Sequence, residues 1–188
     1  MLYITVPPME WFDEQKEEFI YTKEQTLQLE HSLVSVSKWE AKWKKPFLDS
    51  GIKKTQKTKE EMMDYIRCMT ITQNVDPLIY VRIVDDPLLF NEINSYINDT
   101  MTATWFSKKE GEGAGLPRSV ITNERIYYWM TTFGIPFTCE KWHLNRLLTL
   151  IRVCSIEEQP LKKMSQRELA MRNTKLNEQR LKQRHRKG

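Results

Sequence analysis

The sequence predicts a mainly α-helical protein. A helical domain over residues 1–159 carries a small β element near its N-terminus, and a basic helical arm follows over 160–188. Three observations predict this. Between Leu33 and Ile156, apolar residues recur three and four positions apart in several separate segments, as in helices that bury one face. Tyr3–Val6 is a short run of β-branched and aromatic residues stopped by Pro7-Pro8. Charge is also unevenly spread. The formal net charge is +4, yet residues 160–188 hold ten Lys or Arg against two Glu, a balance of +8, which leaves −4 for residues 1–159. At 188 residues, with 40% hydrophobic and 29% charged, the chain suffices for one core with charge left over for an interacting tail.

Taken in order, Tyr3–Val6 reads as a strand and the acidic stretch Glu10–Glu18 as a loop or irregular turn. Leu27 and Leu29 alternate within Thr26–Leu33, which reads as a second strand. From Leu33 the period changes: Leu33, Val36, Trp39, Glu40 and Trp43 recur at helical spacing, with the switch near Ser32 and a stop at Pro46. The lysine-rich stretch from Gly51 to Lys59 reads as an exposed connection. Thr58 and Glu61 have capping-box spacing before a helix to about Met69, in which Met62, Tyr65, Ile66 and Met69 share a face. Asp86-Pro87 reads as an N-cap and first helical residue ahead of a Leu89, Phe90, Ile93, Ile97 stripe. A glycine-rich loop over 107–117 is the best internal boundary. Thr122 or Asn123 then opens a helix through Phe133, with Gly134 just past its end and Pro136 beyond. Thr138 to about Ile156 reads as one strongly apolar helix, with Phe137 positioned to pack on Trp142, so that 122–133 and 138–156 form an αα-hairpin. Ser165 and Glu168 form a second capping box over Leu169, Met171, Leu176 and Leu181, an arm helix with a thin apolar face.

The residues offer little for catalysis, and the chain reads as a non-enzyme with no cofactor. Cys68, Cys139 and Cys154 are an odd, sparse set, expected as reduced thiols in a cytosolic compartment. His31, His143 and His185 lie far apart and lack metal-ligand spacing; Cys139 and His143 are expected as a packed thiol and imidazole. No phosphate-binding GxxxxGK[ST] loop or GxSxG elbow occurs. Asp85-Asp86 could pair carboxylates, but capping accounts for Asp86 more simply. No apolar run approaches the roughly 18 to 20 residues that span a bilayer, so no membrane association is expected.

The basic tail admits three readings. It is a solvated helix; or a phosphate-contacting segment that binds nucleic acid without reading sequence, since 160–188 contains no aromatic residue to stack on bases; or a docking helix for an acidic or amphipathic protein. In the last reading Leu169, Leu176 and Leu181 are anchors and Arg167, Arg172, Arg180 and Lys182 provide steering. Of the six tryptophans (Trp11, Trp39, Trp43, Trp105, Trp129 and Trp142), Trp129 and Trp142 read as core. Trp39 and Trp43 lie among Lys38, Lys42, Lys44 and Lys45 and read as a near-surface partner site.

Several blocks together resemble proteins encoded in the tail gene clusters of tailed bacteriophages. They are Leu29–Glu40, Met69–Val75, Ile126–Met130, Ile135–Phe137, Lys141–Cys154 and Lys162–Ser165, about a quarter of the chain. The resemblance implies a non-enzymatic tail assembly chaperone that binds the tape measure protein, or another tail protein, in the host bacterial cytoplasm while the tail tube is built. It implies no catalytic or ligand-binding residues. A virion structural protein of the tail or head–tail connector, its basic arm touching a neighbouring subunit or DNA, is the first alternative, and a sequence-blind nucleic-acid-binding regulator the second. A homo-oligomer is compatible with each.

Overall fold

A computed structural model of the chain describes residues 1–13, 17–48, 57–106 and 120–158, together with Met171 and Thr174. The glycine-rich loop over 107–117, most of the lysine-rich connection and nearly all of the basic arm lie outside the described residues. The chain divides into two compact units, Met1–Ile156 and Glu157–Gly188. The first is mainly α-helical with a β element at its N-terminus.

That element is one long hairpin in two parts. Strand β1 (Leu2–Val6) pairs antiparallel with β4 (Gln25–Leu29), and β2 (Met9–Asp13) pairs with β3 (Glu18–Thr22). The register is shared: after Val6↔Gln25 the ladder breaks for two positions and resumes at Met9↔Thr22. The break falls at Pro7 and Pro8, which have no amide hydrogen to give to a ladder. The expected loop over Glu10–Glu18 is therefore corrected to strand in its first part. Its carboxylates argued for a loop, since acidic residues are depleted in strands. The cross-strand partners Trp11↔Ile20 and Phe12↔Phe19 outweigh them.

Ile4, Val6, Leu27 and Leu29 line the inner face of the basal half and are buried against the helices. Helix α1 (Leu33–Trp43) starts at Ser32, whose hydroxyl accepts from the Ser35 amide, and ends with Lys44 in the left-handed conformation. Helix α2 (Lys59–Met69) has the full capping box: Thr58 Oγ1 accepts from Glu61 N at 3.2 Å, and Glu61 Oε2 accepts from Thr58 N at 2.9 Å. Helix α3 (Pro77–Asp85) has no counterpart among the expected elements. In Leu78–Val84 Arg82 is the single charged residue, too little contrast to show a helical period, but Asp76-Pro77 opens the helix as Asp86-Pro87 opens α4 (Pro87–Asn98). Asp86 caps α4 through Leu88 N at 3.0 Å, the role expected for it.

Helix α5 (Asn123–Thr132) is closed by Gly134 at φ +63, with Ile135 N donating to Met130 O, a Schellman arrangement that glycine tolerates. The expected single helix over 138–156 is corrected. Phe137–Lys141 is a 3-10 turn, and α6 spans Leu144–Glu157. The break exists because the backbone at 143–144 bonds elsewhere: Ser32 and His143 form a β-bridge, and Leu144 N donates to His31 O at 2.7 Å. The simple αα-hairpin is corrected accordingly. Phe137 does not staple Trp142; it is exposed and lies 6.1 Å from the Tyr127 ring, while the Arg146 guanidinium sits 4.3 Å over Trp142.

Glu40 ties three of these pieces together. It lies on the buried face of α1, 8% exposed, where its Oε1 accepts from Phe47 N at 2.7 Å and its Oε2 from Asn123 N at 2.8 Å. Thr122 makes no side-chain cap, so this carboxylate takes over part of the capping of α5 from across the core. Burial pushes the Glu40 carboxyl above its ordinary range, and the two amides pull it back. Glu40→Ala would leave two buried amides unpaired, each costing about 1–3 kcal/mol. Urea denaturation is expected to show a loss of about 2–5 kcal/mol, whereas exposed Glu60→Ala should change stability by less than about 0.5 kcal/mol.

Candidate functional site

Two features of the first unit stand out chemically: a buried polar centre and an open aromatic face.

The centre forms where β4 runs into α1. Gln28 N donates to Thr72 Oγ1, Ile71 N to Gln28 O, and Glu30 N to Met69 O, so the chain leaving α2 lies along the end of β4. From this strand end, Glu30 and His31 reach into the core. The Tyr96 hydroxyl of α4 donates to Glu30 Oε1 at 2.7 Å. His31 Nδ1 is hydrogen-bonded to the Tyr65 hydroxyl of α2. The imidazoles of His31 and His143 meet edge to face, 5.0 Å between centroids, and His143 Nε2 donates to Tyr96 O at 3.0 Å. With Nε2 protonated, the acceptor Nδ1 of His143 is buried without a partner among the described residues.

Both imidazoles are held neutral. Burial is the main cause for each; for His31 the nearby His143 and Lys57 add to it and bring the value to about 3, while His143 is lowered less. Neutral, water-excluded imidazoles serve as hydrogen-bonding spacers that join α2, α4 and α6 to the strand–helix junction. Beside them is an open cleft of about 320 Å³ lined in part by His31, Asn94, Asn98 and Asn145. Among the described residues, no group of three His, Cys, Asp or Glu is placed to hold a metal, and no helix is long and apolar enough to cross a membrane. Cys68, Cys139 and Cys154 are free thiols.

The second feature is the distal half of the hairpin. Phe12, Phe19 and Tyr21 share one face by strand alternation and remain 42%, 57% and 68% exposed. Phe12 and Phe19 meet across the strands with tilted rings, 5.0 Å between centroids, and Phe19 lies 6.4 Å from Tyr21. The opposite face is more covered: Met9 and Ile20 are half-buried and Thr22 is buried, with Trp11 exposed beside them. The sequence holds a signal for this face, the alternation of aromatics in Met9–Asp13 and Glu18–Thr22. The loop expectation for Glu10–Glu18 hid it.

The site residues expected from the sequence are placed differently. Trp39 is 1% exposed, so its near-surface placement is corrected. Its indole donates to Glu61 O at 2.8 Å and packs edge-on against Phe47, which completes a buried amphipathic ring. Trp43 is half-buried and stacks on Trp39, with Lys42 and Lys45 near its ring. Those lysines read as a positive surface, but both pair with α2: Lys42 with Asp64, and Lys45 with Glu61 at 2.6 Å. Leu169, Leu176, Leu181, Arg167, Arg172, Arg180 and Lys182 lie outside the described residues.

The buried histidines set a pH dependence. An unfolded imidazole takes up a proton below about pH 6.5, whereas folded His31 does so only near 3. As pH falls through this window the unfolded state binds the extra proton, so stability is full above about pH 6.5 and falls by up to about 1.4 kcal/mol per pH unit for such a histidine. Urea denaturation from pH 7.5 to 4 is expected to show this slope, reduced by about one proton in His31→Gln. An unchanged slope in that variant would contradict the assignment.

The chain matches no family model, no curated protein and no solved structure.

Proposed function

We propose that the chain is a phage tail assembly chaperone that binds the tape measure protein in the host cytoplasm while the tail tube forms. The observation that carries this reading is the open aromatic face of Phe12, Phe19 and Tyr21. Exposed contiguous aromatic surface next to a tightly sealed core is the physical mark of a protein-binding site. A tape measure protein is a long helical chain whose apolar surface needs cover before the tube closes around it.

The resembling blocks add support. Leu29–Glu40, Met69–Val75 and Lys141–Cys154 are far apart in sequence and meet at the buried centre, through Glu30 N to Met69 O and Leu144 N to His31 O. In this reading the shared residues build the scaffold, and the hairpin and arm, which lie outside most of them, choose the partner. The basic arm acts as a helical docking segment through Leu169, Leu176 and Leu181, with Arg167, Arg172, Arg180 and Lys182 speeding encounter. Trp43 is the member of the tryptophan pair left with accessible surface for a contact.

Co-expression with the tape measure protein encoded in the same tail cluster is the test. A stable complex is expected to co-purify, and mass spectrometry of finished particles should find this chain absent. Multiple copies in the particle, with no complex in solution, would instead make it a structural tail or connector protein.

A further inference from the structure

The distal hairpin carries a charge pattern that bears on its partner. From Met9 to Glu24 there are six acidic residues and two basic ones, a balance of −4, equal to the whole net charge of residues 1–159. Glu10 stands opposite Tyr21 on the same face as Phe12 and Phe19, and its carboxylate raises the pKa of the Tyr21 hydroxyl. Glu17 is exposed at the turn end of β3, two positions before Phe19, whereas Glu18, also exposed, falls on the opposite face by alternation. The open aromatic face is thus rimmed with carboxylates.

On the reading that this face is a partner surface, we propose that its occupant is a lysine- and arginine-rich protein segment with aliphatic side chains along one side. The aliphatic side chains cover the Phe12, Phe19 and Tyr21 rings, while the cations pair with Glu10 and Glu17 and lie over ring faces. Charge decides against the other occupants. Hairpin-on-hairpin pairing with a second copy would set another balance of −4 against this one, and like charges oppose association; the +8 segment 160–188 of a second copy is the occupant that sedimentation tests. Nucleic acid brings phosphates, which the carboxylates repel. A neutral apolar segment leaves the acidic rim unused. The rings are already partly covered by one another, so the face suits a transient contact.

The test titrates the full chain with three designed helical peptides by calorimetry. One has leucines on one side and Lys/Arg on the other, the second keeps the leucines but has Glu for Lys/Arg, and the third keeps Lys/Arg but has Ser for Leu. The first is expected to bind, at least tenfold more tightly than the other two, and to weaken as salt rises from 50 to 300 mM. The variant F12S/F19S/Y21S should lose at least tenfold. E10Q/E17Q keeps the rings, so it should weaken binding and flatten the salt dependence.

The proposal is overturned if the first peptide does not bind, if either twin binds equally well, or if both variants bind like the parent. It is equally overturned if sedimentation shows the parent self-associating through this face and the serine variant monomeric. Co-purification of the same variants with the tape measure protein separates this failure from that of the functional reading. If the serine variant loses the tape measure protein although no basic peptide binds, the surface stands and only the partner's chemistry is wrong. If it keeps it, the surface reading falls as well.

Discussion

The structure of the first unit depends on one constraint: Leu29–Ser32 are buried, next to half-buried Gln28, where a strand becomes a helix, and the polar groups there need partners. An unpaired buried amide or hydroxyl costs of the order of 1–3 kcal/mol, so the segment recruits partners from wherever the chain can supply them. Thr72 and Ile71 meet Gln28, Met69 meets Glu30, Leu144 meets His31, and His143 bridges Ser32. Tyr65 and Tyr96 then satisfy the side chains of His31 and Glu30. Sequence separations of 34 and 66 residues in the last two contacts mean that this junction fixes the placement of α2 and α4 at once. It also explains why the helix expected from Thr138 onward breaks at His143.

Glu40 does a similar job one helical turn from Val36, holding the start of α5 and the chain after α1 through a single carboxylate. Together the two centres make the body over-determined: its polar groups are tied to specific distant partners, and movement of one element strands several donors. The distal hairpin is built on the opposite plan. A two-stranded ribbon is marginal by itself; its pairing is local, and Pro7-Pro8 uncouple its ladder from the basal strands. A rigid body with a locally stabilised, aromatic and acidic extension is a division between scaffold and contact surface.

Much of this was legible in the sequence, for reasons that can be named. The Thr58–Glu61 capping box, the Asp86-Pro87 start and the Gly134 stop are local devices whose chemistry does not depend on the rest of the fold, and each is present. The switch at Ser32 was visible because the apolar period changes there from two to helical. What was not legible required distant information. In helix α3 Arg82 is the single charged residue of Leu78–Val84, so periodicity has too little contrast. The break at Trp142–His143 comes from hydrogen bonds to residues 31 and 32. The burial of Trp39 follows from Glu61 and Phe47, while the neighbouring lysines suggested a surface because their pairing with Asp64 and Glu61 is invisible in one dimension. The aromatic face was missed because six acidic residues over Met9–Glu24 outweighed a two-residue alternation.

The central claim is that the body is closed and that the hairpin face is where a partner attaches. Amide hydrogen exchange, read on the full chain alone and in complex with the tape measure protein, tests it most directly. In the free chain, the amides of Glu30, Ile71, Asn123 and Leu144 should exchange only through global opening, and those of Met9–Asp13 and Glu18–Thr22 much faster through local opening. In the complex the hairpin amides should gain protection while the body amides keep their rates. Slow exchange of the hairpin in the free chain, or a complex that leaves it unprotected, would contradict the account.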